Sequence, residues 1–244
     1  MINTYVIVTG ASRGIGKETA HIFASKGYNL ITICRGNYSL LEKNAEELEN
    51  KYNIKCHPFQ CNLGNADDIS RLLTKTEPFL GDVKILVNNA GISCTGLFQD
   101  ITDSQWNTIF NTNVSSMIYM SRGIIPYFLK NKCGRIINIS SVWGNEGASC
   151  EVAYSTTKGA VNSFTKALGK ELAPNGISVN AIAFGAIDTD MNSFLNQEEK
   201  MNLEYEIPAG RMATPSEAAE FIYQIATAPD YLNAQIISFN GGWY

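Results

Sequence analysis

Residues 5–16 read Tyr-Val-Ile-Val-Thr-Gly-Ala-Ser-Arg-Gly-Ile-Gly, and no other stretch restricts the fold as much. Tyr5 to Val8 is a short apolar, β-branched run of the kind that forms a buried strand. It breaks at Gly10, and a turn carrying Gly14 and Gly16 leads into a helical pattern with Ile15, Thr19, Ile22 and Phe23 on one face. Strand, glycine turn and helix start together make a phosphate-binding unit. Glycines permit the tight turn and let backbone N–H groups approach a pyrophosphate, while the positive end of the helix dipole favours the anion. The spacing Gly-x-x-x-Gly-x-Gly differs from Gly-x-Gly-x-x-Gly, the more familiar dinucleotide fingerprint. Alone, the triplet also suits a turn that serves only packing. With a strand before it and a helix after it, dinucleotide binding is the favoured reading.

Strand and helix patterns alternate along the rest of the chain. Strands are expected at 29–34, 55–60, 84–87, 135–139, 178–183 and 235–239. The intervening helices include a long one over about 103–129, interrupted by Pro126, and one over about 152–172. Another starts at Pro215 with Thr214 as its N-cap. This order predicts an α/β, three-layer, doubly wound Rossmann fold on a mostly parallel seven-stranded sheet. With 244 residues, 45% of them hydrophobic, and no linker-like stretch, the chain reads as one domain spanning 1–244. A less regular segment at about 185–210 is placed to cover a substrate. Ligands on such sheets bind beyond the C-terminal strand ends. Gly10, Cys34-Arg35, Asn62, Asn88 to Gly91, Ser141 and Gly185 all fall there.

Composition narrows the partners. A net charge of −4 argues against a nucleic-acid surface. No apolar run approaches the length of a membrane span and no signal peptide is recognisable, so a cytoplasmic protein is expected. The six cysteines are scattered without metal-ligand spacing and read as free thiols. His21 and His57 sit near no cluster that would make a metal site, and none is expected. At the end of the second strand, an NAD enzyme usually places an acidic residue for the ribose hydroxyls. Here Cys34 is followed by Arg35, and Arg13 in the glycine turn adds a second cation. Two guanidinium groups suit a 2′-phosphate, which predicts NADP(H).

Further motifs carry a resemblance. Thr9 to Gly16, Asn88-Asn89-Ala90-Gly91 and Tyr154-Ser155-Thr156-Thr157-Lys158 stand in one chain with Ser141 and Asn113. Over essentially its full length the chain resembles the short-chain dehydrogenases/reductases. The resemblance implies a catalytic set of Asn113, Ser141, Tyr154 and Lys158. Tyr and Lys four apart on a helix share a face, and an ammonium there is expected to lower a phenol pKa of about 10. In reduction Tyr154 would protonate a carbonyl oxygen that Ser141 also bonds, and Asn113 would hold a water in a proton relay. Cofactor contacts are implied for Gly10, Ser12, Arg13, Gly14, Ile15, Gly16, Arg35, Asn62, Leu63, Asn89, Ala90, Gly91, Tyr154, Lys158, Gly185, Ile187 and Thr189. Asn88 would pack along the adenosine side. Substrate would meet Ser141, Tyr154, Met191 and Phe194. Where the family usually reads Pro-Gly, this chain has Phe184-Gly185, which is expected to add bulk beside the nicotinamide.

Within the family, segments 85–92, 134–144 and 187–191 are most similar to the bacterial 3-oxoacyl-[acyl-carrier-protein] reductases. That implies reduction of 3-oxoacyl thioesters in fatty acid synthesis. An acidic carrier protein would need a basic patch near the site entrance, for which Lys130, Lys132 and Arg135 are candidates, although position 175 is Asn. Met191, Phe194, Leu195, Met201 and Leu203 could line a lid over an acyl chain, a steroid or another apolar ketone, or could pack a helix on the body. A dehydrogenase of another secondary alcohol (hydroxysteroid, sugar or polyol) and a non-catalytic nucleotide sensor remain alternatives. The family also implies a homotetramer, paired through helices 103–129 and 152–172 and through the C-terminal strand.

Overall fold

The central strands are apolar at nearly every position, a pattern that only a sheet covered on both faces can bury. The computed structural model describes residues 4–193 and 195–244. Its strands are β1 (Tyr5–Thr9), β2 (Asn29–Cys34), β3 (Cys56–Gln60), β4 (Val83–Asn88), β5 (Gly134–Ser141), β6 (Ile177–Phe184) and β7 (Ile236–Phe239). They form one seven-stranded sheet in the order β3-β2-β1-β4-β5-β6-β7. All neighbouring pairs are parallel, so the sheet is wholly rather than mostly parallel. The helices are α1 (Gly14–Ser25), α2 (Tyr38–Tyr52), α3 (Ala66–Leu80), α4 (Asp103–Phe110), α5 (Ser116–Asn131), α6 (Val152–Leu172), α7 (Gln197–Glu206) and α8 (Pro215–Ala226).

Successive strand side chains point to opposite faces and supply two cores. Val6, Val8, Leu30, Val87 and Ile182 pack with Phe23 of α1, Leu41 and Ala45 of α2 and Ile222 of α8. Ile7, Ile31, Leu86, Ile136 and Val179 pack with Leu72 of α3, Ile124 and Phe128 of α5 and Leu172 of α6. The Thr214 cap is present as a capping box with Glu217, followed by Pro215 in the first turn of α8.

Three expectations change. The long helix over 103–129 is divided at Asn111–Ser115, where the backbone widens to a π-turn, and α5 runs on through Pro126. The widening falls where Asn113 reaches across to Ile92, accepting from its N–H at 2.8 Å and donating to its carbonyl at 2.9 Å. Asn88 does not lie along a cofactor groove. It is buried, and its Nδ2 donates to Ser121 Oγ at 3.2 Å and to Asn138 Oδ1 at 2.9 Å. Asn138 is its partner in the β4–β5 register and donates onward to Thr165 Oγ1 at 2.9 Å. Phe184 adds its bulk to the core, edge-on to Phe239 with centroids 5.7 Å apart, and not to the cleft.

The fully buried Asn138 joins β4, β5 and α6 through one amide. Asn138→Ala is expected to destabilise the fold by about 2 kcal/mol, because it strands the Asn88 amide in the interior. Urea denaturation of the variant against the parent protein measures it.

Candidate active site

Winding reverses between β1 and β4, and the strand ends there are pinned by side chains. Thr9 Oγ1 accepts from the backbone N–H of Asn89 at 2.9 Å and of Ala90 at 3.0 Å. The Asn89 amide donates back to the carbonyls of Thr9 at 2.9 Å and Gly10 at 3.3 Å. The glycine turn is held so closely that a Cβ on Gly16 would stand 2.2 Å from the Gly10 carbonyl oxygen. Gly10 and Gly14 have φ of 67° and 55°, the left-handed region open to glycine. No side chain caps α1 and no acidic residue occupies its first turn. Its free N–H groups therefore form a cradle that fits the pyrophosphate of a dinucleotide.

At the next strand end, β5 closes on Ser141 and α6 crosses behind it. Gly144 lets α6 come close, since a Cβ there would lie 2.8 Å from the Lys158 carbonyl carbon. Ser140 Oγ donates to Asn162 Oδ1 at 2.6 Å, which fastens the helix to the strand. Tyr154 and Lys158 share the inner face of α6, with the Lys158 ammonium nitrogen 5.5 Å from the Tyr154 ring centroid. Lys158 is 5% exposed, and its Nζ donates to the Ile139 carbonyl at 2.7 Å. The Ser141 hydroxyl is hydrogen-bonded to Tyr154, and it also accepts from the Trp143 N–H at 3.2 Å. Asn113 completes the group, donating to Thr157 Oγ1 at 3.1 Å while its other contacts hold Ile92.

The electrostatics differ from expectation. Burial pushes the Tyr154 phenol up to about 12, although Ser141 opposes the shift, and the Glu151 carboxylate adds to it. Burial also brings Lys158 down to about 8. For the phenol, desolvation outweighs the opposing Ser141 hydrogen bond, and for the ammonium it is the whole cause. The arrangement is that of a neutral hydroxyl pair, a donor set for an oxygen on which negative charge develops.

The comparisons with known proteins agree with this geometry. The family model described as short chain dehydrogenase matches residues 4–200. The chain belongs to the short-chain dehydrogenase family. It is an oxidoreductase acting on alcohol and keto groups. It is 38% identical over 244 residues to "Uncharacterized oxidoreductase YmfI" of Bacillus subtilis, covering 100% of both chains. It is 36% identical over 239 residues to the 3-oxoacyl-[acyl-carrier-protein] reductase FabG of Aquifex aeolicus, covering 98% of this chain and 96% of that one. To the reductase of the same name from Vibrio cholerae it is 34% identical over 239 residues, with 98% and 96% covered.

In this short-chain dehydrogenase the other expected site residues divide into two groups. Thr189 faces the glycine turn, its methyl 3.5 Å from where a Gly14 Cβ would stand. Gly185 is forced by close approach, with a Cβ there 2.9 Å from the Asn240 backbone. Leu63 is buried in the core on the α3–α5 face with Ala90 packed against it, and Ile15 packs against the core on the opposite face. Ile187 is buried too, its backbone bridged to Ala213. Asn62 Oδ1 accepts from the Gly64 N–H at 3.3 Å. Ser12 offers its carbonyl to the Asn44 amide at 3.2 Å, and Arg35 is exposed. Arg13 is paired with Asp190, its Nη1 3.2 Å from Asp190 Oδ2. Met191 is 45% exposed, and Phe194 lies outside the described residues. No residue of α7 is buried, so the helix at 197–206 packs no apolar face on the body.

Sequence reasoning missed two groups. Glu151 begins the first turn of α6 and accepts from Ser93 Oγ at 3.4 Å, and burial pushes its carboxyl up. Its signal was its place three residues before Tyr154. Asp190 stood unremarked within Ile-Asp-Thr-Asp-Met. The basic docking patch is corrected outright. Lys132 and Arg135 lie at the N-terminal end of β5, about 20 Å along the strand from Ser141. Arg135 is also engaged, donating to Ser178 Oγ at 2.9 Å and the Ala228 carbonyl at 3.1 Å and paired with Asp230.

The depressed Lys158 makes a signed prediction. Between pH 8 and about 10.4, its unfolded pKa, the unfolded chain binds the extra proton, so this group makes stability rise with pH in that window. The difference in Tm between the parent protein and Lys158→Met, followed from pH 7 to 10.5, should show that rise in the parent alone.

Proposed function

We propose that this dehydrogenase is an NADPH-dependent reductase of 3-oxoacyl thioesters, running in fatty acid synthesis on acyl chains carried by a carrier protein or coenzyme A. The observation that carries the reading is the Ser141–Tyr154–Lys158 group at the end of β5, with Ser141 and Lys158 buried and Tyr154 half-buried between them. The names of the relatives support the substrate class. When bound, a reduced nicotinamide supplies hydride to the carbonyl carbon. The glycine turn from Gly10 to Gly16 would hold its pyrophosphate, Asn89 to Gly91 and Thr189 would flank it, and Arg13 and Arg35 would meet a 2′-phosphate.

The residues supply the proton side of the reaction. Tyr154, neutral with a pKa of about 12, donates to the substrate oxygen, and Ser141 bonds the same oxygen. Lys158, fixed on the Ile139 carbonyl, places positive charge beside the tyrosine. Both amide hydrogens of Asn113 are taken by Ile92 and Thr157 and its Oδ1 accepts from Ile92, so a relay water would meet its backbone carbonyl, at the π-turn. A homotetramer in the cytoplasm completes the proposal. The ladder of Phe98 with Trp106 and Phe110 of α4, with Phe98 56% exposed, supports pairing through these helices.

A second reading, oxidation or reduction of another secondary alcohol or ketone, gains weight from one observation: the basic residues expected to dock a carrier protein sit at the wrong end of β5. A nucleotide sensor would have no chemical need for Ser141, Tyr154 and Lys158. NADPH and NADH oxidation should be followed across acetoacetyl-coenzyme A, steroid ketones and sugar ketones. Turnover of the thioester with NADPH is expected, and turnover of a steroid with none of any thioester would overturn the first reading. Tyr154→Phe is expected to lower kcat at least ~100-fold with NADPH binding unchanged, measured by cofactor fluorescence.

A further inference from the structure

The glycine turn and the segment after β6 face each other across the cleft, Gly14 against Thr189. One residue along from each, Arg13 Nη1 and Asp190 Oδ2 stand 3.2 Å apart, both side chains 66% exposed. The segment is anchored by contacts of its own. Asp188 N–H donates to the Ala213 carbonyl at 2.8 Å, and the Asn192 amide to the Ile187 carbonyl at 2.8 Å. Lys200 pairs with Asp188 at 3.1 Å. The Asp190 carboxylate is thus presented to Arg13 by a fixed piece of backbone.

We propose that Asp190 determines cofactor specificity: it competes with a 2′-phosphate for the Arg13 guanidinium and so limits the preference for the phosphorylated dinucleotide. The inference rests on the NADP(H) reading above. A phosphate is held best by a two-nitrogen fork, and the Arg13 Nη1 that would form one prong already donates to Asp190. Holding both would bring two anions together around one cation. An exposed ion pair is weak enough to yield to a dianion, but its loss is subtracted from what the phosphate gains. A dinucleotide with a free 2′-hydroxyl has no claim on Arg13, so Asp190 leaves its affinity alone.

The test is equilibrium binding of NADPH, NADH, adenosine 2′,5′-bisphosphate and 5′-AMP to the parent chain, Asp190→Asn, Arg13→Gln and the double variant. Asp190→Asn is expected to tighten NADPH and the bisphosphate about three- to five-fold, with NADH and 5′-AMP held within about two-fold. In the Arg13→Gln background the gain should fall within about two-fold, as coupled sites require. Equal changes for both members of each pair would mark a merely structural role for the segment and overturn the proposal. So would an unchanged or weakened affinity for the bisphosphate. A parent chain that binds NADH as tightly as NADPH would instead overturn the NADP(H) reading, whatever the variant ratios show.

Discussion

Two parallel strands that share an edge but send their chains in opposite directions leave a crevice at their C-terminal ends, and everything at this site depends on how that crevice is held open. Between β1 and β4 the ladder bonds stop at Val8 and Val87. Beyond them, Thr9 and the Asn89 amide supply the missing donors and acceptors. Because Asn89 saturates the carbonyls of Thr9 and Gly10, the N–H groups at the start of α1 are left facing the cleft. A glycine turn without that strap would satisfy its own backbone by collapsing.

The chemistry at the other end of the crevice is set by burial. Gly144 and the Ser140–Asn162 bond bring α6 against β5, which buries Lys158 and leaves Tyr154 half-buried. Removing water raises the phenol and lowers the ammonium, moving both toward the neutral form. The same packing sets the Ser141 hydroxyl beside the Tyr154 phenol. The polar chain from Ser121 through Asn88 and Asn138 to Thr165 lies beneath it and keeps β4, β5 and α6 in register.

Much of this was legible in the residues. The strand–helix alternation and the seven strands were readable because a covered parallel sheet needs continuous apolar runs, and α6 begins and ends where its pattern does. Tyr154 and Lys158 were readable because a spacing of four is itself a statement about a helix face. Other positions were not readable, for reasons that share one cause. The π-turn at Asn111–Ser115 answers to Ile92, which is about 20 residues away in sequence. Asn88 turns inward because its register partner is another asparagine. Phe184 finds Phe239 on the neighbouring strand. Arg135 looked like a docking cation until β5 placed it at the far end of the sheet from Ser141, against Asp230.

The sequence by itself therefore determined the layer order of the fold, the glycine turn that opens α1 and the shared helix face of Tyr154 and Lys158, since each is written in local spacing and in residues no more than a turn or a strand apart. Only the tertiary structure decided which way those side chains are charged and which neighbours they keep. Burial is a property of the whole packed chain, and Arg13 meets Asp190 across 177 residues of sequence. No local pattern encodes a contact of that range, because it is the sheet that carries the two ends of the cleft together.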